Sequence, residues 1–201
     1  MKFQDFFISE QEPYLGRSRR DKFLSRVFGI FNEEIVRIWC ANNKSPFKDL
    51  GRPTVYEKKG KHYTLDFLLE DRFGHRYVAE MKCELEYQKY RFMVLEKCSQ
   101  IKHHLNKRAF QIFIELAKDP DSYLVKCQGN DVEIDGSILV WGSATDCGIE
   151  NSKSKYGISD IISTEQVISD LIYWGDKEYL KHVNSHKQWC DQLFSALLHN
   201  S

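Results

Sequence analysis

The sequence predicts an α/β domain in which a mixed β-sheet lies between helices. Apolar residues recur at three- and four-residue steps over positions 18–43, a period that is typical of an amphipathic helix. After Pro53 the pattern changes to short segments rich in Val, Tyr, Thr, Phe and Leu that glycines separate, as in strands. Helical spacing returns over 163–198, where Ser163 or Thr164 can serve as the N-cap. Helices therefore flank a central set of strands.

The size and composition of the chain are those of one globular domain. It has 201 residues, of which 42% are hydrophobic, and this is enough apolar surface for a sizeable core. We expect a single domain over 1–201, with a core at about 18–142 and a C-terminal helical part at about 163–198. The 29 basic and 29 acidic side chains cancel, so any nucleic-acid site must be a local basic patch.

The cysteines and the hydropathy bear on the compartment. Six cysteines are scattered without a CxxC pair, in a chain too large to need disulfide staples, and this favours reduced thiols and a cytoplasmic location. No apolar run reaches the ~18 residues of a membrane span, so we expect neither membrane insertion nor secretion. The first fifteen residues are assigned no chemistry.

The central elements follow in a definite order. Residues 55–57, 62–70 and 76–83 are predicted to form three antiparallel strands. Helical spacing at about 88–106 then predicts a second helix. The apolar run 110–116 fits either a buried strand or a helix, because periodicity does not separate the two, and we favour a strand.

Shorter features complete the chain. Residues 123–127, 132–134 and 138–141 are predicted to be short strands, with a hairpin turn at Gly129-Asn130. The polar stretch 143–154 predicts a surface loop. Large aromatic residues near the C-terminus are assigned to core packing: Tyr173, Trp174, Trp189 and Phe194.

The turn between the second and third strands sets their register. Arg72, Phe73 and Gly74 form a three-residue loop, which pairs Asp71 with His75 and places Asp66 opposite Glu80. Because side chains alternate along a strand, one face is predicted to be apolar and the other ionic. The apolar face consists of Leu65, Phe67, Leu69, Tyr77, Ala79 and Met81, and the ionic face carries Asp66, Glu80 and Lys82.

The ionic face has the residue types of a phosphodiesterase site. Two carboxylates directly across a ladder lie ~5 Å apart at Cβ and repel each other unless a cation lies between them. Mg²⁺ is typically held by one or two carboxylates together with phosphate oxygens, and Asp66 and Glu80 suit that role. Lys82, two residues from Glu80, can orient or deprotonate an attacking water. The alternative interpretation is a solvated sheet face with a surface ion pair.

These residues resemble the PD-(D/E)XK nuclease superfamily. Its pattern is an acidic residue on one strand and (D/E)-x-K on the next, and here Thr64-Leu65-Asp66 is followed by Glu80-Met81-Lys82. The resemblance covers roughly 32–105 and departs from the family at Leu65, where a proline often stands. It implies a restriction-endonuclease-like fold, with a core of helix, three-stranded meander, helix and strand.

The resemblance also implies an activity and a set of roles. It implies a metal-dependent endonuclease that hydrolyses DNA phosphodiester bonds with Mg²⁺, for which Mn²⁺ can substitute. Asp66 and Glu80 would bind the ion, assisted by the Met81 carbonyl and by a glutamate on the first helix. Lys82 would position the nucleophilic water and stabilise the transition state. Glu33 and Glu34 are both available for the helical position, and Glu34 fits better because it lies on the apolar stripe with Phe31 and Ile38.

The segment after the motif is predicted to contact nucleic acid. Basic residues dominate it, as they do in segments that track a phosphate backbone. Some family branches place a glutamine on the helix after the lysine, and this carries over to Gln100, followed by His104. The predicted contacts are Lys97, Gln100, Lys102, His104, Lys107 and Arg108. The alternative is an ordinary charged helix face.

Two other function classes stay open from the sequence. One is a non-catalytic nucleic-acid-binding or assembly module that kept the nuclease fold. The other is a ligand- or protein-interaction domain whose acids are merely solvated. Within the nuclease class, restriction, recombination or transposition, and repair roles are equally compatible with the residues, and so are a homodimer and a partner protein.

Overall fold

The computed structural model describes residues 19–58, 60–83, 86–87, 90–91 and 94–199. The helices are α1 (Arg19–Ala41), α2 (Arg108–Lys118), α3 (Asp146–Tyr156), α4 (Thr164–Trp174) and α5 (Lys177–His199), with 3-10 helices at Cys98–His104 and Pro120–Ser122. The strands are β1 (Phe47–Asp49), β2 (Thr54–Tyr56), β3 (His62–Thr64), β4 (Phe67–Asp71), β5 (Arg76–Lys82), β6 (Glu86–Tyr87), β7 (Tyr90–Arg91), β8 (Val94–Leu95), β9 (Leu124–Cys127), β10 (Asn130–Asp131), β11 (Gly136–Trp141), β12 (Ser143–Ala144) and β13 (Asp160–Ser163). The α/β class is confirmed.

A five-stranded mixed sheet forms the centre of the molecule, with the strand order β1-β4-β5-β11-β13. β4 runs antiparallel to both of its neighbours, β1 and β5, whereas β5, β11 and β13 run parallel to one another. The inner strand β11 is buried along its whole length, as expected of a strand that is covered on both faces. The sheet is therefore mixed, as predicted.

The two faces of this sheet pack in two separate apolar clusters. Phe67, Ala79 and Val140 belong to the cluster that contains the buried face of α1 and α4. Leu68 and Val78 point to the opposite side, where α2 covers them. Because side chains alternate along each strand, a single strand supplies both clusters. Helices thus cover both faces, which confirms the predicted placement of the sheet between helices.

The predicted strand 62–70 is interrupted. β3 pairs with β2 in a second sheet of order β10-β9-β2-β3, whereas β4 pairs with β5 in the main sheet. At the break the backbone N–H of Leu65 donates to the Pro53 carbonyl, at 3.0 Å. Leu65 consequently joins the α2-side cluster and not the side of Phe67, so its predicted face was wrong.

The β4–β5 hairpin has the predicted register. Phe67 lies opposite Ala79 and Glu70 opposite Arg76. Gly74 adopts φ +88° in the turn, a conformation that glycine accepts without strain. The ladder itself ends at Phe67, one residue short of Asp66.

The predicted helix at 88–106 was wrong. Short strands occupy 86–87, 90–91 and 94–95, and a 3-10 helix follows at Cys98–His104. The next α-helix is α2, so the run 110–116 is helical and the favoured strand was also wrong. The helical period is present in α2, because its polar residues Arg108, Gln111, Glu115 and Lys118 recur at three- and four-residue steps. The seven residues 110–116 contain only two of these polar residues, and such a short run does not show the period.

Three further predictions between β9 and β13 need correction. The stretch 143–154, predicted to be a loop, contains α3, which begins after the N-cap Thr145 and ends before Gly157 at φ +74°. Residues 132–134 form no strand. The hairpin turn lies at Gln128 and Gly129, both with positive φ, one residue earlier than predicted. The strands at 124–127 and 136–141 are confirmed.

The C-terminal helices begin as predicted but expose aromatic residues. Ser163 caps α4 by accepting a hydrogen bond from the Gln166 backbone N–H at 3.1 Å. Trp174 is partly buried and stacks on Trp39. In contrast, Tyr173, Trp189 and Phe194 are exposed by 88%, 58% and 44%, so their assignment to the core was wrong. None of the helices in the described part of the chain combines the length and the apolar character needed to cross a lipid bilayer.

Candidate functional site

Asp66 lies in the break between β3 and β4. Its Oδ2 accepts a hydrogen bond from the backbone N–H of Met81, at 2.8 Å. This bond holds the carboxylate against β5, one residue beyond the end of the regular ladder. There it lies close enough to Glu80 for the two charges to interact. The side chain of Asp66 is only 16% exposed, so the carboxylate is held at the edge of the core.

Glu80 and Lys82 lie on the same face of β5 because they are two residues apart. The Lys82 ammonium donates to Glu80 Oε1 at 2.5 Å and to the Met81 carbonyl at 3.0 Å. It also lies 5.6 Å from the ring centroid of Phe110 on α2. The side chains of Glu80 and Lys82 are 9% and 11% exposed, which is unusual for charged residues and requires that they be paired.

The electrostatics of Glu80 reflect this enclosed position. Burial raises the pKa of the Glu80 carboxyl, and the negative charge of Asp66 raises it further. The ammonium of Lys82 and, more weakly, the guanidinium of Arg52 lower it, but the net pKa remains raised. The two carboxylates therefore interact, and more positive charge beside them would favour the ionised form of Glu80.

Arginines surround Asp66 on its solvent side. Arg52 Nη2 is 3.4 Å from Asp66 Oδ1, and Arg52 Nη1 is 4.0 Å from Glu33 Oε2. Arg37 pairs with Asp49 and donates to the Asp66 carbonyl at 3.5 Å. Sequence reasoning missed these arginines. Glu33 and Arg37 are four residues apart and could have been identified as a helical pair, whereas Arg52 is on a loop, where spacing carries no signal.

Helix α1 brings Glu33 to the site and directs Glu34 elsewhere. Glu34 is exposed and lines a groove with Ile38, Asp176 and Glu178 on the α5 side. The helix docks mainly through Ile35, Val36 and Trp39, which are almost fully buried, whereas Phe31 and Ile38 are only partly buried against the same cluster. Glu33 differs from Glu34 by about 100° in direction around the helix and lies on the Asp66 side, within 4.0 Å of Arg52. The preference for Glu34 as the site-facing glutamate is corrected to Glu33.

Gln100 has a structural position. It is fully buried, and its Oε1 accepts the backbone N–H groups of Glu96 and Lys97, both at 2.8 Å. Its Nε2 donates to the Val94 carbonyl at 2.7 Å. The side chain therefore presents no surface to a nucleic acid, and the predicted contact is replaced by a role in holding the 3-10 helix onto β8.

His104 is also inside the protein. The ring is 3% exposed and lies 5.4 Å from Phe110 and 5.5 Å from Trp141, measured between ring centroids. Burial, with the positive charges of Lys82 and Lys107, lowers the pKa of His104 to about 3. The imidazole is neutral at physiological pH and has no surface for a predicted nucleic-acid contact.

The remaining predicted contacts divide into two groups. Lys97, Lys102 and Lys107 are exposed. Arg108 instead donates to Glu57 at 2.6 Å and to Glu115 at 2.8 Å, and these hydrogen bonds raise its pKa. Its guanidinium ties α2 to the loop after β2. Among these four side chains, Arg108 is therefore held in ion pairs, whereas Lys97, Lys102 and Lys107 lie at the surface.

The acids do not form a conventional metal centre by themselves. Within the described residues, no three His, Cys, Asp or Glu side chains are grouped so that they could hold one metal ion. Asp66, Glu80 and the Met81 carbonyl nevertheless form a hard-oxygen donor set, and Mg²⁺ commonly takes only one or two carboxylates and completes its shell with water and phosphate. The donor chemistry fits that ion.

This cluster combines two interacting carboxylates, a lysine and a half-exposed arginine at the C-terminal end of β5, the middle strand of the main sheet. Such a set can bind a cation, orient a water and offset negative charge on a phosphoryl group. The geometry of these residues is the basis for any functional argument. No protein-family model, curated protein or solved structure matches this chain.

Proposed function

We propose that this chain is a metal-dependent endonuclease that hydrolyses DNA phosphodiester bonds. One observation carries the proposal: the Met81 backbone N–H holds the Asp66 carboxylate beside β5, the strand that carries Glu80 and Lys82. The Asp66 and Glu80 side chains are only 16% and 9% exposed and interact electrostatically, and carboxylates this buried need a positive partner.

The order of elements around the site supports this proposal. Helix α1, the antiparallel strands β1, β4 and β5, helix α2 and the parallel strand β11 follow one another in that order. The resemblance to the PD-(D/E)XK superfamily implies the same order of helix, three-stranded meander, helix and strand. In this arrangement the first meander strand is β1 and not the predicted strand at 55–57, because β2 pairs with β3 and β9 in the second sheet.

Each residue has a distinct role in the proposed reaction. A bound Mg²⁺ or Mn²⁺ would supply Lewis acidity and lower the pKa of a coordinated water. Asp66, Glu80 and the Met81 carbonyl provide the oxygen ligands, and Glu33 is the helical carboxylate on that side. The ammonium of Lys82, already held by two oxygens, can orient the attacking water and stabilise charge on the phosphoryl group.

The exposed lysines support a nucleic-acid substrate. Lys97, Lys102 and Lys107 lie along the segment that leads from β8 to α2. The end of this segment lies near the site, because the Lys82 ammonium and the His104 ring lie 5.6 and 5.4 Å from the ring centroid of Phe110. Exposed ammonium groups on such a segment can contact backbone phosphates without reading sequence.

A nicking assay tests the proposal. Supercoiled plasmid and single-stranded DNA are incubated with Mg²⁺, Mn²⁺ or EDTA and with wild type, Lys82→Ala or the exposed-lysine control Lys181→Ala. We expect metal-dependent cleavage by wild type and Lys181→Ala, and at least a hundredfold loss in folded Lys82→Ala, the scale of removing one transition-state contact. Equal cleavage by all three proteins, or none by any of them, contradicts the proposal.

A second candidate is a non-catalytic nucleic-acid-binding module that retains the same fold. The observation that favours it is the direct engagement of Lys82 with both Glu80 and the Met81 carbonyl, which are two of the proposed metal ligands. A closed ion pair of this kind can also be purely structural. Salt-sensitive DNA binding by wild type without scission in any metal would select this candidate.

A further inference from the structure

Arg52 differs from the other arginine near Asp66 in how firmly it is held. Arg37 is 28% exposed, pairs with Asp49 and has its guanidinium 4.9 Å from the ring centroid of Phe67. Arg52 is 50% exposed, and its contacts to Asp66 and Glu33 are 3.4 and 4.0 Å long. Ion pairs this exposed are worth ~0 to 1 kcal/mol, so releasing Arg52 costs little.

The backbone beneath Arg52 is, by contrast, firmly attached. The Leu68 N–H donates to the Gly51 carbonyl at 2.7 Å, and the Leu65 N–H donates to the Pro53 carbonyl at 3.0 Å. Gly51 adopts φ +114°, which a residue with a side chain rarely accepts. The loop therefore fixes the base of Arg52 beside Asp66 and leaves only the side chain able to turn.

Charge explains why the guanidinium stays at the acids when no other cation is bound. Arg52 lies at ion-pair distance from Asp66 and Glu33, and its charge also acts on Glu80. A divalent ion at Asp66 and Glu80 would compete with Arg52 for the same carboxylates and would repel it. The planar guanidinium matches a phosphate oxygen pair, which would arrive with a nucleic-acid substrate.

We propose that Arg52 is a phosphate-binding residue of the site, which neutralises Asp66 and Glu33 when no divalent ion is bound and turns to a substrate phosphodiester when one is. This inference rests on the proposed function and goes beyond it. Arg52 thereby couples metal binding to substrate binding: the ion displaces the guanidinium from the carboxylates, and the guanidinium then binds the substrate phosphate.

Calorimetry and DNA binding test this role together. Arg52→Gln is compared with Arg76→Gln, which removes an equally charged residue from a surface pair with Glu70 at the other end of β5. For Mn²⁺ without DNA, we expect Arg52→Gln to bind about two- to fivefold more tightly than wild type, the scale of one exposed ion pair. For duplex DNA in Ca²⁺, we expect weaker binding and a salt slope reduced by ~0.9. Arg76→Gln should match wild type in both.

The variant Arg52→Lys separates charge from shape. It keeps a competing cation, so its Mn²⁺ affinity should match wild type, while its DNA affinity should fall between those of wild type and Arg52→Gln. If wild type binds metal and cleaves DNA, but Arg52→Gln matches wild type in both Mn²⁺ binding and DNA binding, the role of Arg52 is overturned. The proposed function then still stands. Weaker Mn²⁺ binding by Arg52→Gln would also overturn the role of Arg52. No Mn²⁺ binding and no cleavage by wild type would overturn the proposed function and, with it, this inference.

Discussion

The carboxylate of Asp66 and the backbone N–H of Met81 are joined by a hydrogen bond of 2.8 Å across the point where the β4–β5 ladder ends. A backbone donor thus replaces one rung of strand pairing with a side-chain contact. The consequence is that Asp66 is held beside Glu80 by the fold itself, before any ligand is present.

The first prediction concerns Asp66→Asn. The amide oxygen of asparagine can still accept the Met81 N–H, so we expect the free energy of unfolding at pH 7 to change by no more than about 1 kcal/mol. The negative charge is lost, so Mn²⁺ binding measured by calorimetry should disappear. Asp131→Asn, at a surface position with 68% exposure, should bind Mn²⁺ as wild type does. Unchanged binding by Asp66→Asn would remove Asp66 from the metal site.

The second prediction separates the two glutamates of α1. Glu33→Gln should lower metal-dependent cleavage, since Glu33 shares Arg52 with Asp66. Glu34→Gln should cleave as wild type does, because Glu34 faces the groove that Asp176 and Glu178 also line. Cleavage rates of both variants at a fixed Mg²⁺ concentration check this. The reverse result would show that α1 presents its other flank to the site.

The third prediction concerns the lysines after β8. The triple variant Lys97→Ala, Lys102→Ala, Lys107→Ala should weaken DNA binding for every sequence and reduce the salt slope by ~2.7 for duplex DNA, as three phosphate contacts require. A matched triple variant on α5, Lys177→Ala, Lys181→Ala, Lys187→Ala, should keep the wild-type slope. Equal slopes for the two triple variants would place the nucleic-acid surface elsewhere.

The fourth prediction concerns Gln100. Gln100→Leu leaves the Val94 carbonyl and the Glu96 and Lys97 N–H groups without their side-chain partner in a buried place. We expect a loss of about 2 to 4 kcal/mol in the free energy of unfolding, measured with urea, since each unsatisfied buried group costs about 1 to 3 kcal/mol. The exposed control Gln188→Leu should stay within about 0.5 kcal/mol of wild type. A stable Gln100→Leu protein that binds DNA poorly would restore Gln100 as a contact.

The fifth prediction is a pH dependence from His104. Its pKa in the folded protein is about 3, below the unfolded value of ~6.5. The unfolded chain therefore binds the proton first. The stability that comes from a neutral His104 is present above pH ~6.5 and is lost progressively as the pH falls towards the folded pKa.

Between pH 7 and pH 5 this group should cost about 2 kcal/mol of the free energy of unfolding. In urea titrations, His104→Phe should lose less stability than wild type over that interval by this amount, because the ring remains but the titration does not. His103→Gln, at the half-exposed neighbouring position, should follow wild type. An identical pH dependence in wild type and His104→Phe would mean that His104 is not buried as a neutral ring.

Local chemistry made several features predictable from the sequence. The Arg72-Phe73-Gly74 turn sets the β4–β5 register, and alternation along β5 puts Glu80 and Lys82 on one face, since both depend only on neighbouring residues. Helix α1, strand β11 and the cap at Ser163 follow for the same reason. Periodicity, turn residues and caps are properties of short segments.

Other features have a local signal that is too short to identify them, or none at all. The run 110–116 belongs to the longer helix α2, whose polar side becomes regular only when Arg108 and Lys118 at its two ends are included. The strand predicted at 62–70 breaks at Leu65 because its two halves pair in different sheets. Pairing partners far apart in the chain determine such a break.

The residues of the candidate site also divide into those that local sequence predicts and those that packing between distant elements determines. Residue type, strand alternation and one turn predict the set of Asp66, Glu80 and Lys82, but Asp66 lies one residue beyond the β4–β5 ladder and is held there by the Met81 N–H. Packing between distant elements brings Glu33 and not Glu34 to Arg52 beside Asp66, buries Gln100, and places Arg52 at the acids from a loop. The direction in which a helix docks, and the reach of a loop residue, depend on packing against distant elements, and a local pattern does not carry that information.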